Sequence, residues 1–132
     1  MKRLAIDLRP GEYAVARLAA TEAVPAGLFD TGADGLVSVT RSGDELSLIC
    51  RSDSPLPDAA RVESGWRLLT VRGPLEFTLT GVIAALASEL AAAGVPLFSM
   101  STFDTDHLLV KQADLTRAVD ALRLSGHEVH EG

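Results

Sequence analysis

Five side chains able to make hydrogen bonds crowd into six positions of FSMSTFDTDHLLVK: Ser101, Thr102, Asp104, Thr105 and Asp106. Hydroxyls and carboxylates at that density suit a tight bend, a cation, or the ammonium group of a small ligand. A bend that only reverses the chain more often uses Asn-Gly or Asp-Gly. Asp104 and Asp106 serve equally well as turn residues, Ser101 and Thr102 as strand residues, so both readings stand for each. A divalent cation would need more oxygen ligands than this stretch supplies. His127 and His130, in HEVH, would point to opposite faces of a strand, and His107 stands alone. A structural or solvated role is expected for all three, with no metal site. Cys50 is the only cysteine and lies in the apolar run ELSLICRS, which suits a buried thiol and excludes a disulfide within the chain. TGADG, Thr31 to Gly35, has two glycines but neither GxxxxGK[ST] nor GxGxxG, and no GxSxG elbow occurs. Catalysis is not expected, and no cofactor is called for.

The elements that must position these groups belong to a chain of ordinary globular composition. Its 132 residues are 47% hydrophobic and 23% charged, and aromatics make up only 5%, so the core must come from Leu, Val, Ile and Ala. A formal net charge of −6 without a Lys/Arg cluster argues against a nucleic-acid partner. The N-terminus MKRLAIDLRPGEY is interrupted by Asp7 and Arg9 and does not read as a signal peptide. The greasy segment Val82 to Ala93 contains Glu89 and is too short to span a bilayer. A cytoplasmic protein without membrane association is expected.

In the first half, LAIDL and EYAVARLAA alternate as strands, and VPAGLF allows only a short helical turn. GLVSVTRSGDELSLICRS predicts a hairpin turning at RSGD, with Gly43 available for a positive φ. SDSPLPDAARVESG, Ser52 to Gly65, has a linker composition. WRLLTVRG then reads as a strand closed by Gly-Pro. From Phe77 or Thr78 to Ala93 the period becomes helical, with Leu79, Val82, Ile83, Leu86, Leu90 and Ala93 on one face. Gly94 and Pro96 stop that helix. PLFSMSTF and HLLVK predict strands around the acidic bend. Asp114 is placed to cap a second helix, Leu115 to Ser125, with Leu115, Ala118, Val119 and Leu122 inward; HEVHE predicts a last edge strand. The order β-α-β-β-α-β in about seventy residues is the split βαβ pattern of a ferredoxin-like unit. The first half reads as a reduced copy, which divides the chain into residues 1–60 and 61–132. Sheet edges left unpaired in such units lead to an expectation of a homodimer.

GPLEFTLTGVIAALASELAAAGVPLFSMSTFDTDHLLVK resembles the ACT domain, in the tandem form of the aspartate kinase regulatory region and the cytosolic arginine sensor type. Three features carry the resemblance: the approach to Gly81 and its helix, the AGVPLFSMSTF crossing, and the acidic bend followed by DL…AV…L. It covers Trp66 to Glu131, and the first half matches only by pattern. The resemblance implies two ferredoxin-like α+β units in tandem, the first reduced, with antiparallel sheets and helices on one face. It also implies a free amino acid bound between ACT units. Carried onto this chain, the ligand-binding residues are Glu76, Phe77, Thr78, Thr80, Gly81 and Val82 at the loop and helix start. The bend supplies Ser101, Thr102, Phe103, Asp104 and Asp106.

The chemistry of an amino acid fits those positions. Unpaired N–H groups at a helix start attract its carboxylate, and a carboxylate such as Asp106 accepts hydrogen bonds from its ammonium. Phe77 and Phe103 could wall its side chain; each equally suits a core, and Glu76 equally suits the helix dipole. The expected protein is a non-catalytic sensor or regulatory subunit, with an amino-acid ligand and an enzyme it regulates as partners. Two other classes stay open: an interaction module of the same fold that has lost ligand binding, and a small enzyme using the acidic bend.

Overall fold

The computed structural model describes residues 3–30, 35–75 and 81–132. The strands are β1 (Ala5–Leu8), β2 (Tyr13–Leu18), β3 (Ser38–Arg41), β4 (Leu46–Arg51), β5 (Arg61–Val71), β6 (Leu97–Ser101), β7 (Asp106–Lys111) and β8 (Glu128–His130); the helices are α1 (Val82–Ala92) and α2 (Leu115–Leu124). Contacts divide the chain into two compact units, residues 11–66 and residues 67–132 joined by the segment up to Pro10. The N-terminal strand thus belongs to the C-terminal unit, outside the 1–60 segment in which the sequence pattern groups it.

In the C-terminal unit the strand order is β6-β7-β5-β1-β8. β1 runs antiparallel to β5, with Ile6 opposite Val71, and parallel to β8, with Ile6 opposite Val129. One parallel pair therefore enters a sheet expected to be antiparallel throughout. Alternation explains the layers: Leu69 and Val71, Leu108 and Val110, and Ile6 and Val129 all face one core. Onto it pack Val82, Leu86 and Leu90 of α1 and Leu115, Ala118, Val119 and Leu122 of α2. Fully burying one such leucine contributes about 2 kcal/mol. Leu79, assigned to the α1 face by periodicity, lies outside the described residues.

α1 begins at Val82, later than the periodicity predicts, after Gly81 at φ 80° with no side-chain cap. At the α2 entrance, Asp114 occupies the cap position but its carboxylate makes no capping bond; it takes the Arg117 guanidinium at 2.7 Å instead. A preceding 3-10 turn, Gln112–Asp114, already tightens the entrance.

β1 is held by a buried imidazole. His127 is 4% exposed; its Nδ1 accepts the Leu4 N–H at 3.1 Å, and its Nε2 lies 3.1 Å from Glu89 Oε2 on α1. His130 is exposed. Arg72 reinforces β1 from the far end of β5, donating from Nε and Nη2 to the Asp7 carboxylate at 3.2 and 2.5 Å.

The N-terminal unit has the order β3-β4-β2-β5, antiparallel throughout. Leu18, Leu28, Leu46, Leu48 and Cys50 form its core, and burial pushes the Cys50 thiol up from its usual range. Leu28 sits in the short turn expected of VPAGLF, its N–H donating to Pro25 O at 3.3 Å. Two expectations are corrected here. Arg61 to Gly65 are strand, paired to β2 with Val62 opposite Ala16, so the linker composition ends at Ala60. Gly43 is not among the positive-φ glycines; the RSGD turn is held by the Ser42 hydroxyl, which accepts the Asp44 and Glu45 N–H groups at 3.2 and 3.3 Å.

Candidate functional site

The hydroxyls of the acidic bend divide between turn chemistry and an open face. Thr102 donates to the Thr105 carbonyl from its N–H at 2.8 Å and its hydroxyl at 3.2 Å, which closes the reversal. Ser101 and Asp106 are partners across the first pair of the β6–β7 hairpin, and the Ser101 hydroxyl donates to Asp106 Oδ1 at 2.5 Å. The Asp104 carboxylate is exposed and takes no hydrogen bond from a described residue. Phe103 is 78% exposed.

The bend is stapled to the chain leaving β5. Leu75 N–H donates to Asp104 O at 2.6 Å, and the Thr105 hydroxyl donates to Val71 O at 2.5 Å. Gly73 is required at this approach, since a Cβ there would lie 2.8 Å from Asp104 O. The Gly73–Pro74 peptide is cis.

This staple brings the bend opposite the start of α1. The first helical bond is Ala85 N–H to Gly81 O at 2.9 Å, so the N–H groups of Val82, Ile83 and Ala84 have no intrahelical acceptor. Gly81 at φ 80° turns the backbone, and no heavy atom of the described residues lies within 4 Å of its Cβ position. A cavity of about 330 Å³ results, lined by Leu75, Gly81 to Ala84 and Ser101 to Asp106. The residues that open α1 thus line it on one side and those of the acidic bend, Asp104 and Asp106 among them, on another, with no basic residue among the described lining.

Of the residues expected at the site, Gly81, Val82, Ser101, Thr102, Phe103, Asp104 and Asp106 line this one cavity. Glu76, Phe77, Thr78 and Thr80 lie outside the described residues. Leu75, Ile83, Ala84 and Thr105 also line it. Ile83 and Ala84 were missed because the helix start was placed too early; Gly81, the glycine that precedes an unbroken helical run, was the available signal.

Behind the bend, His107 Nδ1 lies 3.0 Å from the Thr70 hydroxyl. Burial holds its pKa below the usual 6.5, and Arg9 adds to the effect while Asp106 opposes it. Among the described residues no group of three or more His, Cys, Asp or Glu side chains could hold a metal ion, and no helix is long and apolar enough to cross a membrane.

Comparison with known proteins bears on the family and the fold. The profile of the ACT domain matches residues 61–123, and a second profile, of an N-terminal domain, matches residues 11–57. The crystal structure of protein Atu0741 from Agrobacterium tumefaciens is similar over 100% of this chain and 96% of its own, at 39% identity and a TM-score of 0.89. The rat cytosolic arginine sensor for mTORC1 subunit 1 is 37% identical over 59 residues, which are 44% of this chain and 18% of that protein. The chain therefore spans less than a fifth of the length of that curated relative. The ligand-free regulatory subunit of aspartate kinase from Thermus thermophilus shares the fold, with a TM-score of 0.67 at 11% identity over 95% of this chain and 99% of its own.

Proposed function

Because the chain belongs to the same family as Atu0741 and carries an ACT domain in its C-terminal unit, we propose that it is a non-catalytic regulatory protein that binds a free amino acid. The observation that carries this reading is the convergence of the α1 start and the acidic bend on one cavity. A ligand carboxylate there meets the N–H groups of Val82, Ile83 and Ala84, where the helix dipole favours negative charge. Its ammonium meets Asp106, already oriented by Ser101, and Asp104 on the outer rim. A metabolite lacking either charge satisfies only one wall.

In this reading the ACT unit of a second copy covers the open side of the cavity, and the ligand bridges the two. Binding would then favour the paired state, because only that state makes both sets of contacts. The protein would act in the cytoplasm on a separate enzyme as its regulated partner. Its curated relative is named as a cytosolic arginine sensor, which places arginine first among the ligands to try.

A second reading is a pairing module of the same fold without a ligand. It is favoured by β6, which pairs only with β7 among the described strands and carries Phe98 at 45% exposure. An exposed aromatic on a sheet edge suits strand addition.

A thermal-shift screen against the common amino acids separates the two. At a hundredfold over its dissociation constant, a ligand adds about 2.7 kcal/mol, several degrees for a domain of this size. One amino acid giving that shift supports the sensor. A flat panel from a stable dimer removes it in favour of the pairing module.

A further inference from the structure

We propose that the N-terminal unit holds a second small-molecule site, for a zwitterion of amino-acid size, in the cavity of about 270 Å³ lined by Gly27, Asp30, Arg51, Asp53, Ser54 and Pro55. The argument starts from Arg51, the last residue of β4. Its guanidinium lies 5.8 Å from the centroid of the Tyr13 ring and directly against Gly11, where a Cβ would come 2.5 Å from Arg51 Cζ. Gly11 has φ 91°, a conformation that favours glycine, and the Arg51 guanidinium lies across it. The cation rests near the Tyr13 ring and against Gly11, and among the described residues no carboxylate forms an ion pair with it.

The planar edge of a guanidinium offers paired donors that match a carboxylate. Asp30 and Asp53 share the cavity with it and are exposed. The Asp30 backbone is held by its N–H bond to Gly27 O at 3.1 Å, and the loop beyond β4 is closed by Ser54 N–H to Arg51 O at 3.0 Å. Opposite charges therefore line one small cavity without neutralising each other. A molecule carrying both a carboxylate and an ammonium complements the two; a simple anion would sit beside Asp30 and Asp53 unshielded. The described lining of the C-terminal cavity includes two aspartates but no arginine, so the two sites differ in chemistry, and this proposal does not rest on the C-terminal one.

The test uses the full chain, labelled with nitrogen-15, and follows backbone amides and the arginine Nε–H signals by NMR. Each of the twenty common L-amino acids is added in turn, with acetate and ethylammonium as separate half-ligands. We expect at least one amino acid to move Arg51 Nε–H together with the amides of Gly27 and Ser54, and the half-ligands to bind far more weakly. Arg51→Gln and Asp53→Asn should each weaken that binding by about tenfold or more, with spectral dispersion showing that the variants fold. Asp106→Ala should leave it unchanged. The proposal is overturned if no amino acid moves those signals, if Arg51→Gln binds as the parent does, or if acetate binds as tightly as the amino acid. Signals of Val82 to Ala84 report the C-terminal cavity in the same spectra, so either site can fail alone.

Discussion

His127 Nδ1 accepts the backbone N–H of Leu4 at 3.1 Å, joining residues 123 positions apart. An Nδ1 that accepts requires the ring proton on Nε2, which faces both Glu89 oxygens at 3.1 and 3.2 Å. His127→Ala would leave a buried amide and a carboxylate without their partner. We predict a loss of about 1–3 kcal/mol, read from urea midpoints at constant m-value. Glu89→Gln keeps an acceptor and should lose less. A His127→Ala variant as stable as the parent would remove the imidazole from the structural role given to it.

The lowered pKa of His107 has a definite sign. The unfolded imidazole titrates near 6.5 and the folded one lower, so below 6.5 the unfolded chain binds more protons. This contribution to stability is complete above pH 6.5; it shrinks as pH falls toward the folded value and is flat beneath it. Melting temperatures measured between about pH 7.5 and 5 should therefore decline on the acid side, and His107→Gln should flatten that decline. Asp7, held low chiefly by its hydrogen bond from Arg72, acts only below 3.8 and does not confuse the window.

Asp106 is half-buried and its described hydrogen-bond partner is a single hydroxyl. Asp106→Ala should cost the unliganded protein about 1 kcal/mol or less and abolish its thermal shift with the ligand found by screening. Ser101→Ala should keep a weakened shift, because the carboxylate survives without its orienting donor. A fall of several degrees in unliganded Asp106→Ala would make the residue structural.

Gly73 and Gly43 make opposite predictions for one substitution. A methyl at Gly73 meets backbone at 2.8 Å and Thr105 Cβ at 3.1 Å, whereas at Gly43 nothing lies within 4 Å. Gly73→Ala should cost about 1–3 kcal/mol by displacing the acidic bend. Gly43→Ala should stay within about 0.5 kcal/mol of the parent. Denaturant titration of both decides whether the staple is as tight as described.

The parts of the fold legible in the sequence were those governed by periodicity. Leu115, Ala118, Val119 and Leu122 mark the inner face of α2, and all four are buried. α1 was misplaced at its start because it has no side-chain cap, so the usual signal of a helix beginning is absent. Arg61 to Ser64 are all exposed, which erases the alternation that would have identified them as strand. Their strand form comes from pairing with β2, a tertiary effect. The bend was legible as a candidate site from its density of polar groups. That it faces the N–H groups of Val82 to Ala84 depends on Gly73 and Leu75 holding Asp104, a contact between separated segments that no local pattern announces.

The placement of β1 bears on how the molecule is made. β1 lies between β5 and β8, and among the described strands β1 is made before all the others and β8 after them. Its sheet cannot close until Glu128–His130 of β8 have emerged, while residues 11–66 already hold the four described strands of their own unit. The N-terminal unit is in effect an insertion after β1 of the other unit, and synthesis should complete it first. A fragment starting at residue 61 would lack an interior strand, so dissecting this protein calls for a circular permutant that carries residues 3–10 after residue 132.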